Sequence, residues 1–120
     1  MGRRARQREK LRAPSSDYSD PQGNVLTLRG ALSPGSRRQY ADALAGGTAS
    51  AAATREDSDA RAVELLFEHL AVRWLIAGVP LERQRELLAR FRIASAAERS
   101  WVQGVLREHC SEHFPELQLP

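Results

Sequence analysis

The sequence has a single cysteine, Cys110, and no apolar run long enough to cross a lipid bilayer. A lone cysteine cannot form a disulfide within the chain, and such cysteine usage is typical of a reducing compartment. The charged first residues are followed by polar, turn-forming residues and not by the apolar stretch of a signal peptide. We therefore expect a cytoplasmic protein that does not enter the membrane and whose cysteine is buried in the core.

Sequence motifs of the common enzyme classes are also missing, with one exception. There is no glycine-rich phosphate loop and no Gly-x-Ser-x-Gly sequence, so we expect no catalytic residues and no cofactor. The exception is HCSEHF, residues 109–114, which matches the His-x-x-Glu-His pattern of one class of zinc peptidases. This motif makes a metal site the first chemical hypothesis to examine.

The two histidines of this motif would lie one turn apart on the apolar side of a helix, as zinc ligands do. A zinc peptidase needs a third ligand, and the only acid after His113 is Glu116, which follows the helix-breaking Pro115. We therefore expect no metal site and interpret the histidines as residues that cover one end of the core. A small metal-dependent enzyme is the third functional hypothesis, with His109, His113 and His69 as its candidate ligands.

Positive charge is concentrated in the first twelve residues. They carry six basic groups against Glu9, whereas the rest of the chain carries twelve basic and fourteen acidic groups. All basic residues except Lys10 are arginines, which together with the many alanines indicates a GC-rich bacterial genome. The basic segment predicts either contact with RNA or DNA phosphates or a solvated tail that only keeps the protein soluble. The candidate contact residues are Arg3, Arg4, Arg6, Arg8, Lys10 and Arg12.

Hydrophobic periodicity predicts an all-α fold. Residues 1–23 lack periodicity and are expected to form a disordered basic tail, whereas residues 24–120 are expected to form a single small helical domain. Residues 46–53 are all small, and we expect them to be a flexible connection inside this domain. The segment 24–30 is the only strand-like stretch, so it is predicted to be an isolated extended segment.

Capping residues and breakers give the expected helix boundaries. Ser33 with Pro34, Thr54, and the capping box of Ser95 and Glu98 each predict the start of a helix. Gly78 and Pro80 are expected to separate the longest helix from the next one. The predicted three-helix core covers about 54–77, 80–93 and 96–114. A short helix is predicted to precede it at 34–45.

The longest predicted helix would carry apolar residues on two sides. The broad stripe includes Leu66 and Trp74, and the two later helices can cover it. The narrow stripe consists of Leu65, Val72 and Ile76 and would need another partner. We therefore predict a self-association surface at these three residues and a homodimer in solution.

The segment TLRGALSPGSRRQYADALAG resembles the ribbon-helix-helix repressors. In that family two subunits pair one strand each and insert the ribbon into the major groove. The resemblance implies that Thr27 and Arg29 face the bases and that Leu26 and Leu28 point inward. The connection between the two helices is longer than the tight turn of that family. A dimeric DNA-binding regulator is therefore the alternative hypothesis.

The sequence contains no convincing catalytic motif. Together with the helical pattern and the basic tail, this favours a non-catalytic protein. We expect a binding or adaptor module that joins a larger assembly through a protein partner or a second copy of itself. The basic tail adds possible contact with RNA or DNA.

Overall fold

The structure, a computed structural model, describes residues 14–46 and 54–120. Within these residues it contains four helices and one four-stranded antiparallel sheet. The elements in chain order are β1 (Ser15–Ser19), β2 (Val25–Arg29), α1 (Pro34–Leu44), α2 (Arg55–Leu70), β3 (Ala71–Ile76), β4 (Val79–Leu81), α3 (Gln84–Arg92) and α4 (Ala96–His113).

The sheet shows that the all-α prediction is wrong. Its strands follow the order β1, β2, β3, β4, and every neighbouring pair is antiparallel. The segment 24–30 is therefore not isolated, because β2 pairs with β1 on one edge and with β3 on the other. The fold is a mixed α and β arrangement and not a helical bundle.

The largest error concerns the predicted helix at 54–77, which ends at Leu70 and continues as strand β3. Two residues with positive φ, Ala77 at 51° and Gly78 at 79°, form the turn to β4. Ile76 pairs directly with Val79 across this turn, as expected for a two-residue hairpin of the primed type. The β-branched and aromatic residues of β3 favour a pleated strand once β2 provides its backbone partner.

The predicted disordered tail is also wrong over residues 15–19, which form β1. The turn to β2 is held by the carboxylate of Asp20, whose Oδ1 accepts bonds from the backbone N–H groups of Gln22 and Asn24. Gly23 supplies a positive φ of 83° in this turn. Residues 1–13 lie outside the described part of the chain, as do residues 47–53 of the predicted flexible connection.

Three of the four predicted helix starts are confirmed. The helix expected over 80–93 begins only at Gln84, because Val79–Leu81 turn back to pair with β3 as strand β4. Ser33 caps α1 and Pro34 is its first residue, while Thr54 and Ser95 each form a capping box at α2 and α4. Each capping hydroxyl accepts a bond from a backbone N–H that would otherwise lack a partner.

The core lies between one face of the sheet and the helices. Leu26 and Leu28 of β2 and Trp74 of β3 are at most 2% exposed, and they pack with apolar residues of all four helices. Phe67 of α2 stacks on Phe91 of α3 with ring centroids 4.7 Å apart. Among the described residues, no helix is both long and apolar enough to cross a membrane.

Candidate functional site

The sheet has an outer face that the described helices leave open. Side chains alternate along a strand, so the neighbours of the buried Leu26, Leu28 and Trp74 point away from the core. These neighbours are half-buried or exposed. We call this surface the open face, and the strand pairing places on it Ser15, Asp17, Ser19, Val25, Thr27, Arg29, Arg73, Leu75 and Pro80.

One row of the open face is apolar. Val25 of β2 lies directly opposite Leu75 of β3, and Leu75 lies opposite Pro80 of β4. Val25 and Leu75 are half-buried, although neither belongs to the core that the described residues form. Directly opposed apolar side chains on a sheet contact one another, so this row forms a continuous apolar strip at the surface.

The neighbouring row of the open face is polar and internally paired. The hydroxyl of Thr27 donates to Oδ1 of Asp17 over 2.6 Å, and Nε of Arg73 lies 3.6 Å from Oε1 of Glu82. Arg29 extends from the end of β2. The open face thus holds one acidic and two basic groups, and Glu82 beside it pairs with one of the two arginines.

The three residues of the predicted self-association stripe do not lie on one helix. Leu65 belongs to α2 and Ile76 to β3, and both are partly buried against the core. Val72 is the extra residue of a bulge in β3, because Thr27 pairs with Arg73 while the next residue of β2 pairs with Ala71. Val72 is 36% exposed, whereas Leu65 and Ile76 are partly buried, and self-association through these residues stays a prediction.

The strand order also bears on the ribbon-helix-helix alternative. That arrangement requires β2 to pair with β2 of a second subunit. In this structure both edges of β2 are occupied, by β1 and by β3. Leu26 and Leu28 point inward as the resemblance implies, but β2 offers no free edge for an intersubunit ribbon.

The two histidines of the zinc-like motif occupy different environments at the end of α4. His109 is completely buried, whereas His113 is half-buried, and their ring centroids are 4.4 Å apart. Nε2 of His109 lies 2.8 Å from the carbonyl oxygen of Arg29, and Nδ1 lies 2.8 Å from the hydroxyl of Tyr18. Burial lowers the pKa of His109, and the bond to the Arg29 carbonyl only partly opposes this shift.

Both ring nitrogens of His109 are thus already engaged by protein groups, which leaves neither of them to bind a metal. His69 lies elsewhere, with Nδ1 3.2 Å from the hydroxyl of Ser36 and Nε2 3.1 Å from Oε1 of Gln39. Within residues 14–46 and 54–120, no group of three His, Cys, Asp or Glu side chains could hold a metal ion. The structure therefore does not bring the three candidate ligands, His69, His109 and His113, together.

Cys110 and the N-terminal basic residues are the remaining candidates from the sequence. Cys110 is buried as predicted, and burial raises the pKa of its thiol to about 11, so the thiolate is strongly disfavoured. The six basic residues of the N-terminal segment lie outside the described part of the chain. Sequence reasoning missed the open face, because its alternation becomes visible only when the pairing of β2 and β3 is known.

Comparison of the chain with protein-family models, curated proteins and solved structures finds no match.

Proposed function

We propose that the protein is a non-catalytic binding module that joins a larger assembly by docking a protein partner onto the open face of its sheet. The observation that carries this proposal is the apolar strip of Val25, Leu75 and Pro80 beside the internally paired polar row. Protein interfaces combine an apolar centre with a polar rim in this way. The carboxylates of Asp17 and Glu82 among its arginines suit a protein surface better than a polyanion.

Site-specific photo-crosslinking in the native host tests this proposal. A photoreactive residue at position 25 or 75 lies on the apolar strip, whereas the exposed Ser100 of α4 provides a control position away from the sheet. We expect one defined protein adduct from positions 25 and 75 and no such adduct from position 100. Equal adducts from all three positions, or none from the open face, would contradict the proposal.

Leu75→Lys provides an independent test, because it places a charge in the strip without removing a core residue. We expect this variant to keep the fold and to lose the adduct that forms from position 25. Light scattering of the wild type and of this variant shows whether the open face binds a second copy of the chain or a different protein. A dimer that Leu75→Lys dissociates would identify a second copy of the chain as the partner.

The N-terminal basic segment supports a second activity, contact with RNA or DNA. Its charge of +5 contrasts with −2 for the rest of the chain, so the attraction for phosphate is concentrated in one place. We expect affinity for generic nucleic acid to fall steeply with salt and to disappear when all six basic residues are replaced by glutamine. Arg85→Gln on α3 is the control and should leave binding unchanged. If the variant with all six replacements still binds nucleic acid, a contact through Arg3, Arg4, Arg6, Arg8, Lys10 and Arg12 is refuted.

A further inference from the structure

The sheet ends in two edge strands, β1 and β4, and their outer edges differ. β4 has only three residues, and Pro80 is the middle one. Ile76 and Val79 flank the two-residue turn as a hydrogen-bonded pair, so Pro80 directs its backbone nitrogen outward, where it has no N–H to donate. Short edge strands and outward prolines hinder the addition of a further strand. The outer edge of β4 is therefore closed.

β1 has none of these protections. It contains five residues, none of them proline or lysine, and it pairs with β2 in one register without a bulge. The carbonyl of Pro14 accepts from the N–H of Gly30, and the N–H of Asp20 donates to the carbonyl of Asn24, so a hydrogen-bonded pair lies at each end of the ladder. Bonded and non-bonded residues alternate along an antiparallel strand, so every second residue of β1 directs its backbone groups away from β2. These residues are Ser15, Asp17 and Ser19.

All three outward residues are exposed, and the described part of the chain gives their backbone N–H and C=O groups no strand to pair with. A row of unpaired backbone groups along a regular strand is a template for another extended segment. The outer edge of β1 is therefore open, and we call it the β1 edge.

Carboxylates lie on both sides of the β1 edge. Asp17 is exposed on the open face. On the other side the hydroxyl of Tyr18 contacts His109 of α4, and Glu108 and Glu112 lie beside His109, one turn apart and exposed. Burial raises the pKa of Tyr18, and the negative charges of Glu108 and Glu112 add to this shift, as expected if both carboxylates lie near β1.

The charge of the β1 edge selects its occupant. Arg29 lies opposite Ser15, at the end of the edge away from Ser19, and offsets only one of the three carboxylates. A second copy of β1 is disfavoured, because a two-fold antiparallel pairing of all three outward residues would place Asp17 directly opposite its own counterpart. Like charges directly opposite one another destabilise a strand pair. The edge therefore fits a segment that carries positive charge.

We propose that the β1 edge binds an extended basic segment of a partner protein, which adds a fifth strand to the sheet. The backbone of the segment pairs with the outward groups of β1, and its lysine or arginine side chains lie beside Asp17 on one side and beside Glu108 and Glu112 on the other. Such strand addition takes its affinity from backbone hydrogen bonds and its selectivity from alternating side chains. This contact goes beyond the proposed docking on the open face and does not depend on it.

Amide hydrogen exchange of the full-length protein detects this contact residue by residue. The probe is a blocked heptapeptide of alternating threonine and lysine. At ten times its dissociation constant it should slow exchange of the outward amides by about tenfold. The amides of Ser16 and Tyr18, which already face β2, should not change. A peptide of alternating threonine and glutamate of the same length should protect none of these amides.

Ser19→Pro and Ser19→Thr form a matched pair of variants for this experiment. Proline at position 19 removes an outward N–H but no hydrogen bond to β2, whereas threonine keeps the N–H. We expect Ser19→Pro to weaken the affinity for the basic peptide by about tenfold and Ser19→Thr to bind like the wild type. The amides of Ser16 and Tyr18 report whether β1 stays paired with β2 in both variants.

A second set of variants tests the selection by charge. Replacement of both Glu108 and Glu112 by glutamine should weaken binding of the basic peptide, whereas Glu86→Gln on the exposed side of α3 should not. The variant with six N-terminal glutamines should keep the preference for the basic peptide, because the carboxylates beside the β1 edge remain in place.

Four results would overturn the proposal. They are outward amides that are already protected in the free protein, no protection by the basic peptide at millimolar concentration, equal protection by the acidic peptide, and unchanged binding by Ser19→Pro or by the double glutamine variant. The first result would show that another part of the chain or a second copy occupies the edge. Leu75→Lys separates this proposal from docking on the open face, because it should leave the protection by the basic peptide unchanged while it disrupts the crosslink from position 25.

Discussion

The hydroxyl of Tyr18 lies 2.8 Å from Nδ1 of His109, and this contact joins residues that are 91 positions apart in the chain. The other ring nitrogen of His109 faces the carbonyl oxygen of Arg29, which can only accept a hydrogen bond. Nε2 must therefore carry the hydrogen, and Nδ1 must accept from the tyrosine. The neutral imidazole of His109 thus links the end of α4 to β1 and to β2 through two hydrogen bonds.

Removal of the tyrosine hydroxyl should destabilise the protein. Tyr18→Phe leaves Nδ1 of His109 as a buried acceptor without a partner, which costs about 1–3 kcal/mol of the free energy of unfolding. Thr27→Val is the control, because it removes a hydrogen bond to Asp17 that is exposed to water. Urea denaturation measures both variants. A loss for Tyr18→Phe no larger than that for Thr27→Val would refute the role given to this contact.

The same imidazole should make the stability depend on pH. The pKa of His109 is lowered in the folded state, so below about pH 6.5 the unfolded chain binds a proton that the folded protein resists. The free energy of unfolding should therefore decrease as the pH falls below about 6.5, by at most ~1.4 kcal/mol per pH unit for this one group. His113 and Glu112 lie near His109 and act on its pKa in opposite directions.

His109→Gln isolates this contribution. The glutamine amide can still donate and accept a hydrogen bond but does not titrate. Urea denaturation between pH 5 and 8 should show a flatter dependence for the variant than for the wild type. Parallel curves for the two proteins would show that another group controls the stability in this range.

Gly30 should tolerate no side chain, whereas Gly104 should accept one. A Cβ at Gly30 would lie 2.8 Å from the carbonyl oxygen of Pro14, which is part of the backbone and cannot move easily. Gly104 lies on the exposed side of α4, and a Cβ added there would have nothing within 4 Å. Gly30→Ala should therefore lower the thermal midpoint, and Gly104→Ala should raise the free energy of unfolding by about 0.5–1 kcal/mol. The opposite order of the two melting curves would contradict the close contact between Pro14 and Gly30.

Three of the four helix starts were predictable from sequence because a cap depends on residues within one turn, whereas α3 begins at Gln84 without a side-chain cap. Ser33, Thr54 and Ser95 each bond to a backbone N–H three positions later, so a short window of sequence contains the whole interaction. Strand β1 has no such local signal. Its residues are mostly polar, and Tyr18 is the only apolar side chain that it directs towards the core.

Strand β3 shows the second limit of sequence reasoning. Its apolar residues follow directly on the helical pattern of α2, and a short apolar run fits a helix or a strand equally well. Whether residues 71–76 form a helix or a strand depends on β2, which lies more than forty positions earlier in the chain and pairs with β3. The open face arises from this pairing, so it could not be predicted from sequence.

Ala77→Asn tests the replacement of the long helix by the β3–β4 hairpin. Ala77 has a φ of 51°, a conformation that alanine adopts at a cost and that asparagine tolerates well, especially before a glycine. The substitution should therefore raise the free energy of unfolding by a part of the roughly 1–2 kcal/mol that a left-handed conformation costs alanine. In a helix that continued through residue 77, the same substitution would be destabilising by up to ~0.7 kcal/mol.

Ala89→Asn gives the matched control, because Ala89 is exposed in the interior of α3. Urea denaturation of both variants should give effects of opposite sign, with Ala77→Asn stabilising and Ala89→Asn destabilising. The bond from the backbone N–H of Ala77 to Asn24 does not involve the replaced side chain, so it should persist in the variant. Destabilisation by both substitutions to a similar extent would favour a continuous helix and contradict the hairpin.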